Sequence, residues 1–371
     1  WQIALVLFVL QRFHSPALAG LTTFLAIAPG LACSPIAGAL LDRNGRVRMI
    51  LVDYAMAAGA LILIFVLALT DHLNPVVLLP IVTLSSLTNP LSATGVRTLF
   101  PLVTPRDLWD RANAIDSGSQ ALAFVLGPAL GGYLIAWFGA GAFLGTALLF
   151  VLAGLVLFGI KDPPTAVSDT GPLLRSAWQA LVYVLHNASL RGITLTFLAS
   201  NIGGGIQQLA LPVLIFTHFH WGADAVGELW SVAGVATVIA GLTVGRVRTD
   251  GNERRMISVG MTVLSLGGVL LVAADRVSFG LPLLVVAMLL FGFSAGPIDL
   301  GIFALRQRRT DPAWFGRAFA VSMALNYAGA PIGSALGGPI VESSIFVALV
   351  VAAVISLGGV VMPYLAIPEK G

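Results

Sequence analysis

Long apolar runs, each about as long as a membrane-spanning helix, alternate with short polar turns along the whole chain. A bilayer span needs about 20 apolar residues, and turn signals such as the segment TDHLNP separate the runs. Apolar and polar residues do not alternate at period two, so we expect an all-α membrane protein and exclude a β-barrel. The pattern predicts twelve spans, at 1–13, 17–41, 48–70, 75–99, 108–136, 139–160, 192–217, 224–246, 255–274, 279–305, 315–340 and 344–366.

The two halves of the chain resemble each other at an offset of 206 positions. The segment RDLWDRANAIDSGSQALAFVLGPALGG at 106–132 aligns with PAWFGRAFAVSMALNYAGAPIGSALGG at 312–338. Two like halves of six spans are typical of transporters that rock one bundle against the other. We therefore predict one bundle at 1–160, a cytoplasmic linker with an amphipathic helix at 161–191, and a second bundle at 192–371. The same offset places the start of the first span before the chain's first residue, so we expect that span to be truncated.

The charge is too low for a soluble protein and is placed asymmetrically. Only 10% of the 371 residues are charged and 57% are hydrophobic, which leaves too few polar residues for a water-exposed exterior. Of the 20 lysines and arginines, all but Arg12 and Arg276 fall on the side of the 42–48 turn. The positive-inside rule assigns that side to the cytoplasm. We expect an integral protein of a bacterial plasma (inner) membrane with both termini cytoplasmic, and no nucleic-acid partner.

The turn GALLDRNGRVR concentrates charge in a chain that is otherwise poor in it. Its pattern of glycine, Asp-Arg, glycine and further arginines resembles the loop 2–3 signature of the major facilitator superfamily, and the resemblance extends over the whole chain. It implies the major facilitator fold, with twelve helices in two pseudo-symmetric halves and a conformational latch at this turn. The latch residues would be Gly38, Asp42, Arg43, Gly45, Arg46 and Arg48, together with Asp53 one and a half turns further on.

The resemblance implies partners for this latch. Asp42 would face the N-terminus of the eleventh span at 313–317, where free N–H groups and the helix dipole favour an anion. Gly45 permits the tight turn. Arg43 and Arg46 would pair with acids on neighbouring helices, and the candidate acids are Asp107 and Asp110. The alternative is that the arginines of this turn only set the topology.

A second signature, VLGPALGG, lies on the fifth predicted span. Its Gly127, Pro128, Gly131 and Gly132 resemble the antiporter motif of drug:proton antiporters in the same superfamily. The flanking sequence is similar to the branch that includes macrolide-efflux and siderophore exporters. The resemblance implies export. The alternative is a purely structural role, since small residues spaced four apart are a common device for helix packing.

Carboxylates inside a membrane are costly and are therefore candidates for proton coupling. Burial favours the protonated form of such a group, which allows it to take up and release protons. We place Asp299 first, as proton carrier or counter-charge for the substrate, and Asp116 second. A salt bridge with Arg97 or Arg111 is the alternative role of Asp116. Glu228 lies nearer the outer face, where a role in a gate is the alternative.

We expect no basic residue deep in a span, which suits neutral or cationic lipophilic substrates better than anions. Candidate polar residues of the substrate cavity are Asn201, Gln207, Gln208, Trp230, Asn326 and Tyr327, each with helix packing as the alternative role. His218 and His220 lack the carboxylate or cysteine that would complete a metal site. We expect no metal and no cofactor.

Motifs for chemistry are missing from the sequence. There is no phosphate-binding G-x-x-x-x-G-K-[ST] segment and no nucleophile elbow, so we expect neither ATP hydrolysis nor another enzymatic activity. The prediction is a monomeric secondary transporter in contact with membrane lipids, a proton-coupled exporter of lipophilic small molecules that works by alternating access. The alternatives are a lysophospholipid or siderophore transporter or a nutrient:proton symporter of the same fold, and, in another class, a membrane-embedded enzyme or receptor.

Overall fold

The computed structural model describes residues 1–161, 173–244, 250–277, 280–311 and 314–368. These residues form α-helices joined by short turns, and no strand occurs among them. The helices are α1 (Gln2–Phe13), α2 (Pro16–Asn44), α3 (Arg46–Leu69), α4 (Pro75–Val103), α5 (Trp109–Phe138), α6 (Gly141–Phe158), α7 (Leu173–His186), α8 (Ala188–Thr217), α9 (Ala223–Val244), α10 (Glu253–Ala274), α11 (Gly280–Arg309), α12 (Phe315–Ser343) and α13 (Ile345–Ala366).

The predicted spans correspond one to one to α1–α6 and α8–α13, which confirms the all-α fold class. Within the described residues, ten helices are long and apolar enough to cross a membrane, and α1 is a shorter apolar helix. Several helices extend further than the apolar runs that predict them, because a helix continues through charged residues at its ends, whereas α6 is shorter than its predicted span of 139–160. Helix α11, for example, runs to Arg309, whereas its apolar run ends at residue 305.

Local sequence explains where several helices begin. Ser15, Asn74, Asn187 and Ser344 each precede a helix, and each side-chain oxygen accepts a hydrogen bond from the backbone N–H three residues on, at 3.0–3.3 Å. Such caps satisfy N–H groups that have no partner within the helix. Gly45 separates α2 from α3 with φ of 90°, a conformation that favours glycine.

The internal repeat is visible in the helix bounds. Adding 206 to the bounds of α3 gives 252–275, and α10 spans Glu253–Ala274. The same shift places α4 at 281–309, and α11 spans Gly280–Arg309. The pseudo-symmetric halves predicted from the sequence are therefore present as two sets of helices, α1–α6 and α8–α13.

The two halves contact each other mainly through α2 with α12 and through α5 with α9. We call the end of the bundle that carries the α2–α3 turn the basic face, and the other end the opposite face. Helix α7 lies at the basic face against α12 and α2. This helix is the amphipathic segment expected in the linker, while residues 162–172 of that linker lie outside the described part of the chain.

Candidate functional site

The halves are closed at the opposite face. Gly20 of α2 packs against the backbone of Ser334 and Gly338 on α12. At the same end, the Glu342 carboxylate accepts hydrogen bonds from the Ser15 hydroxyl at 3.3 Å and from the Ala17 backbone N–H at 3.1 Å. Glycine at the crossing allows the two backbones to approach closely.

Helices α5 and α9 close the opposite face on the other side of the bundle. Gly132 of α5 and Gly227 of α9 pack directly against each other's backbones. The Tyr133 hydroxyl donates to the Glu228 carboxylate across the same crossing. The structure therefore places Glu228 at the contact between the halves, as its alternative gate role requires.

Toward the basic face the contacts between the halves loosen. A Cβ added to Gly38 of α2, Gly118 of α5 or Gly241 of α9 would have no atom within 4 Å apart from its own surroundings on the helix. These three glycines lie on helices that form the contact between the halves at the opposite face. A cleft of about 620 Å³ also lies between α2 and α12 on the basic-face side of Gly20, so in the described part of the chain the bundle is open toward the basic face.

The residues of the predicted antiporter motif differ in what they contact. Gly132 is enclosed by the α9 backbone, whereas a Cβ at Gly127 would meet nothing within 4 Å and one at Gly131 would meet only Ala4 at 3.8–3.9 Å. Pro128 lacks an N–H and leaves the Phe124 carbonyl without its usual helical partner.

Helix α9 approaches α5 where that partner is missing. A Cβ added to Gly234 would lie 2.8 Å from the Phe124 carbonyl oxygen, and the Ala129 N–H donates to Ser231 Oγ at 3.2 Å. The proline and the second half of the motif therefore shape the crossing of α5 and α9.

A polar cavity of about 250 Å³ lies within the second half, between α8, α10, α11 and α12. Asp299 is exposed within it, as is Tyr327, which is 59% exposed. Three of the six predicted cavity residues and the first-ranked carboxylate thus come together here. The polar and charged lining residues are Ser200, Asn201, Asp299, Arg306, Asn326 and Tyr327.

Close packing of α8 on α12 builds one wall of the polar cavity. Gly329 and Gly333 of α12 lie against the backbone carbonyls of Leu198 and Ile202 on α8. With the backbones this close, Asn201 Nδ2 donates to the backbone oxygen of Asn326 at 3.0 Å. The amides of both helices are held in position by these contacts.

Arg306 is the residue that the sequence reasoning missed. Arg306 lies one residue beyond the predicted span, but the expected cavity without a buried cation is wrong, because Arg306 is only 1% exposed and lines the polar cavity. The apolar run of α11 ends at residue 305, but the helix continues, and the next position faces the interior of the bundle. The signal was the spacing: Asp299 and Arg306 are seven residues apart, which puts them on the same face of α11 about 10 Å apart along its axis.

The Arg306 guanidinium has defined neighbours. One terminal nitrogen donates to Met323 Sδ, and the Phe319 ring centroid lies 5.7 Å away. With the Asn326 amide oriented so that both its atoms are satisfied, its oxygen accepts from Arg306 and its nitrogen donates to the Ser322 carbonyl at 3.1 Å. Arg306 Nε is buried and has no hydrogen-bond partner among the described residues.

The first half carries a related but more exposed chain of polar groups. Arg97 of α4 donates to Gln120 Oε1 of α5 at 3.3 Å, and Gln120 Nε2 donates to Asp116 Oδ2 at 2.7 Å. Gln120 therefore lies between Asp116 and the arginine considered as its salt-bridge partner. Position 120 corresponds to position 326 in the repeat, so an amide accepts from an arginine at the same place in each half.

The remaining predicted cavity residues lie elsewhere. Gln207 is buried, with Nε2 beside Gly268 of α10 and without a hydrogen-bond partner among the described residues. Gln208 is half-buried, and Trp230 packs against the apolar core. These positions fit the alternative of helix packing.

The latch turn, residues 38–48, is held by contacts of its own. Arg46 pairs with Asp42 at 2.8 Å, and Arg46 Nε donates to Thr98 Oγ1 of α4 at 3.3 Å. Arg43 and Arg48 are exposed at the basic face. Of the expected partners, residue 313 and the side chains of residues 110, 315 and 316 lie outside the described part, so the contact with the eleventh span stays a prediction.

Asp53 lies deeper than the rest of the latch set. It is 4% exposed on α3, and it lines a small cavity together with Asn89 and Ser92 of α4. These contacts place Asp53 in the packing of α3 on α4.

Replacing Asp42 by asparagine is expected to lower the free energy of unfolding by only about 0.5 kcal/mol. The Asp42 side chain is 49% exposed, and exposed ion pairs contribute little because water screens them. Thermal unfolding of the purified protein in detergent measures the change. A loss as large as that of a buried charge pair would contradict this description of the turn. Asp107→Asn, a change of an exposed acid at the same face, is the matched control.

Known proteins resemble this chain over nearly its whole length. The sequence model of the Major Facilitator Superfamily matches residues 2–209 and, separately, residues 193–371. The uncharacterized MFS-type transporter y4rN of Sinorhizobium fredii is 34% identical, covering 96% of this chain and 87% of that protein. The multidrug efflux pump Tap of Mycobacterium tuberculosis is 28% identical, with coverages of 91% and 81%. The enterobactin exporter EntS of Citrobacter koseri is 27% identical, with coverages of 88% and 77%.

The fold is also shared with solved structures. The nucleoside transporter NupG superposes with a TM-score of 0.80 at 12% identity, covering 99% of this chain and 95% of NupG. The relatives match this chain across both of its halves. The chain is an integral membrane protein that belongs to the major facilitator superfamily.

Proposed function

We propose that this transporter exports lipophilic neutral or cationic small molecules in exchange for protons. The observation that supports this most is Asp299, a carboxylate exposed within a polar cavity between helices of a membrane bundle. Carboxylates between the helices of a membrane bundle are rare and costly, and they mark ion pathways and proton relays. The similarity to a protein named as a multidrug efflux pump supports the direction of transport.

The orientation in this proposal rests on the basic residues. The basic face is the cytoplasmic face of a bacterial plasma membrane, since nearly all lysines and arginines lie there, and both termini are then cytoplasmic. The conformation open toward the basic face receives cargo from the cytoplasm. The protein works as a monomer, because each chain holds both halves.

Alternating access follows from the contacts between the halves. To release cargo outward, the contacts of Gly132 with Gly227 and of Gly20 with α12 must separate. The latch turn must then approach the second half at the basic face. Protonation of Asp299 from the outside removes its charge, so that a cationic cargo loses its counter-ion and leaves. Return of the proton to the cytoplasm resets the cavity.

Proteoliposomes test this function directly. Proteoliposomes that contain the wild-type protein are loaded with a lipophilic cationic dye and exposed to an imposed pH gradient. Dye movement against its concentration gradient, reversed when the pH gradient is reversed, is the expected result. Dye movement that ignores the pH gradient would contradict proton coupling, and no movement at all would contradict this cargo class.

A second candidate cargo is an anionic metal chelator of the siderophore type. The observation that favours it is Arg306, a buried guanidinium in the wall of the polar cavity whose Nε–H has no hydrogen-bond partner among the described residues. Guanidinium groups bind carboxylates and similar oxygen anions with strong, directional hydrogen bonds. One relative is named as an enterobactin exporter. Gradient-driven export of a radiolabelled tricarboxylate chelator, together with absence of dye export, would favour this candidate over the first.

A further inference from the structure

An apolar cleft of about 620 Å³ separates α2 from α12 in the half of the bundle toward the basic face. Its walls include Phe24 and Leu31 of α2 and Val321 and Leu325 of α12, and all of its lining residues are apolar. It ends toward the opposite face, where Gly20 packs against α12. The cleft therefore narrows from the basic face into the interior of the bundle.

A second cavity of about 670 Å³ adjoins the apolar cleft at the basic face. Trp178 of α7 lines both cavities, so the two lie next to each other at that side chain. The lining of the second cavity is aromatic and polar. Tyr183 and Trp314 are stacked with ring centroids 4.9 Å apart, and the Arg317 guanidinium lies 4.8 Å from the Trp314 ring centroid. His186 completes this part of the lining.

The pair of cavities has the shape and polarity of an amphiphile. We propose that it is a binding site for an anionic phospholipid of the leaflet at the basic face. The phosphate group lies beside Arg317, which supplies a positive charge and planar N–H donors. One acyl chain extends into the apolar cleft between α2 and α12.

Three features favour a lipid as the occupant. The amphipathic helix α7 lies at the end of the bundle, where such a helix contacts the headgroup region of a bilayer. Arg317 is placed where anionic headgroups accumulate if the basic face is cytoplasmic. The cleft lining is apolar throughout, as an acyl chain requires.

This site is separate from the polar cavity. The two use different faces of α12: Asn326 and Tyr327 line the polar cavity, while Ala324 and Leu325 line the apolar cleft. The site depends on the open conformation, because α2 and α12 must approach each other when the basic face closes. A lipid chain between them therefore stabilises the open conformation whatever the cargo is.

Quenching of Trp178 by brominated lipids measures occupancy. The protein is reconstituted in nanodiscs of phosphatidylcholine, with brominated phosphatidylglycerol or brominated phosphatidylcholine added in increasing amounts. The part of the quenching that disappears in Trp178→Phe reports this site, since Trp178 is 65% exposed and borders both cavities. We expect brominated phosphatidylglycerol to reach half-saturation at a lipid fraction about five-fold lower than that of brominated phosphatidylcholine.

Variants separate the headgroup contact from the chain contact. Arg317→Gln is expected to bring the two half-saturation points together, while Arg317→Lys retains the preference for phosphatidylglycerol. Ala324→Phe, which fills the apolar cleft, is expected to remove the saturable quenching by both lipids.

Arg276→Gln is the matched control, because Arg276 also lies over an aromatic ring, that of Phe346 at 3.9 Å, but at the opposite face. It is expected to leave the curves unchanged. Equal half-saturation for both lipids in the wild type, or an unchanged preference in Arg317→Gln, would overturn the proposal.

Discussion

Asp299→Asn is expected to reduce proton-driven export to the leak rate of protein-free vesicles. Asparagine has nearly the same size and keeps the polar character of the cavity wall, but it does not take up or release a proton. Exchange of labelled for unlabelled cargo at equal pH on both sides needs no net proton movement, so it is expected to persist. The two rates, measured on the same proteoliposomes, separate loss of coupling from loss of binding or folding.

Two further acids make this test specific. Asp275→Asn is the matched control: Asp275 ends α10 at the opposite face beside Arg276, at 3.9 Å, and its loss is expected to leave coupling intact. Asp116→Asn tests the second-ranked carboxylate, which is hydrogen-bonded to Gln120. Coupling that survives in Asp299→Asn but is lost in Asp116→Asn would contradict the role given to Asp299 and assign the proton to the first half.

Gly132→Val is expected to abolish transport by preventing closure of the opposite face. A Cβ at this position would lie about 3 Å from the backbone of Gly227, and the remaining atoms of valine have no space between α5 and α9. Overpacking of this kind costs about 1–3 kcal/mol. If the cost falls on the closed contact alone, the balance between the two conformations shifts by roughly 5- to 150-fold.

Labelling from outside measures this shift. A cysteine at Ser231, in a background with Cys33→Ala, reports access to the α5–α9 crossing, since Ser231 Oγ accepts from the Ala129 N–H there. An impermeant maleimide is expected to label it faster in Gly132→Val. Gly127→Val is the matched control from the same motif, because nothing lies within 4 Å of its Cβ position. Equal losses of transport in both variants would contradict the packing described for the crossing.

The cavity residues show where sequence reasoning works and where it stops. Asp299 was found because an acid in an apolar run is rare and costly whatever the fold around it. Arg306 was not found, because it lies beyond the end of its apolar run and its burial depends on the rotation of α11 against α12. Asn326 and Gln207 both carry amide side chains. Only the packing of α8 with α12 and α10 shows that Asn326 lines the cavity and that Gln207 faces α10.

The sequence by itself determined the class of the protein, the order of its apolar helices, the internal repeat and the asymmetry of basic charge. These properties depend on local composition, since each span must satisfy its own backbone within lipid and each turn must carry its own polar residues. Tertiary structure alone decided which glycine of the predicted antiporter motif packs at the crossing, which polar residues meet in one cavity, and which face of the bundle is open. Those outcomes depend on contacts between helices that are far apart along the chain, such as Gly132 with Gly227 and Gly20 with Ser334. Such contacts follow from the rotation and approach of whole helices, and no local pattern encodes them.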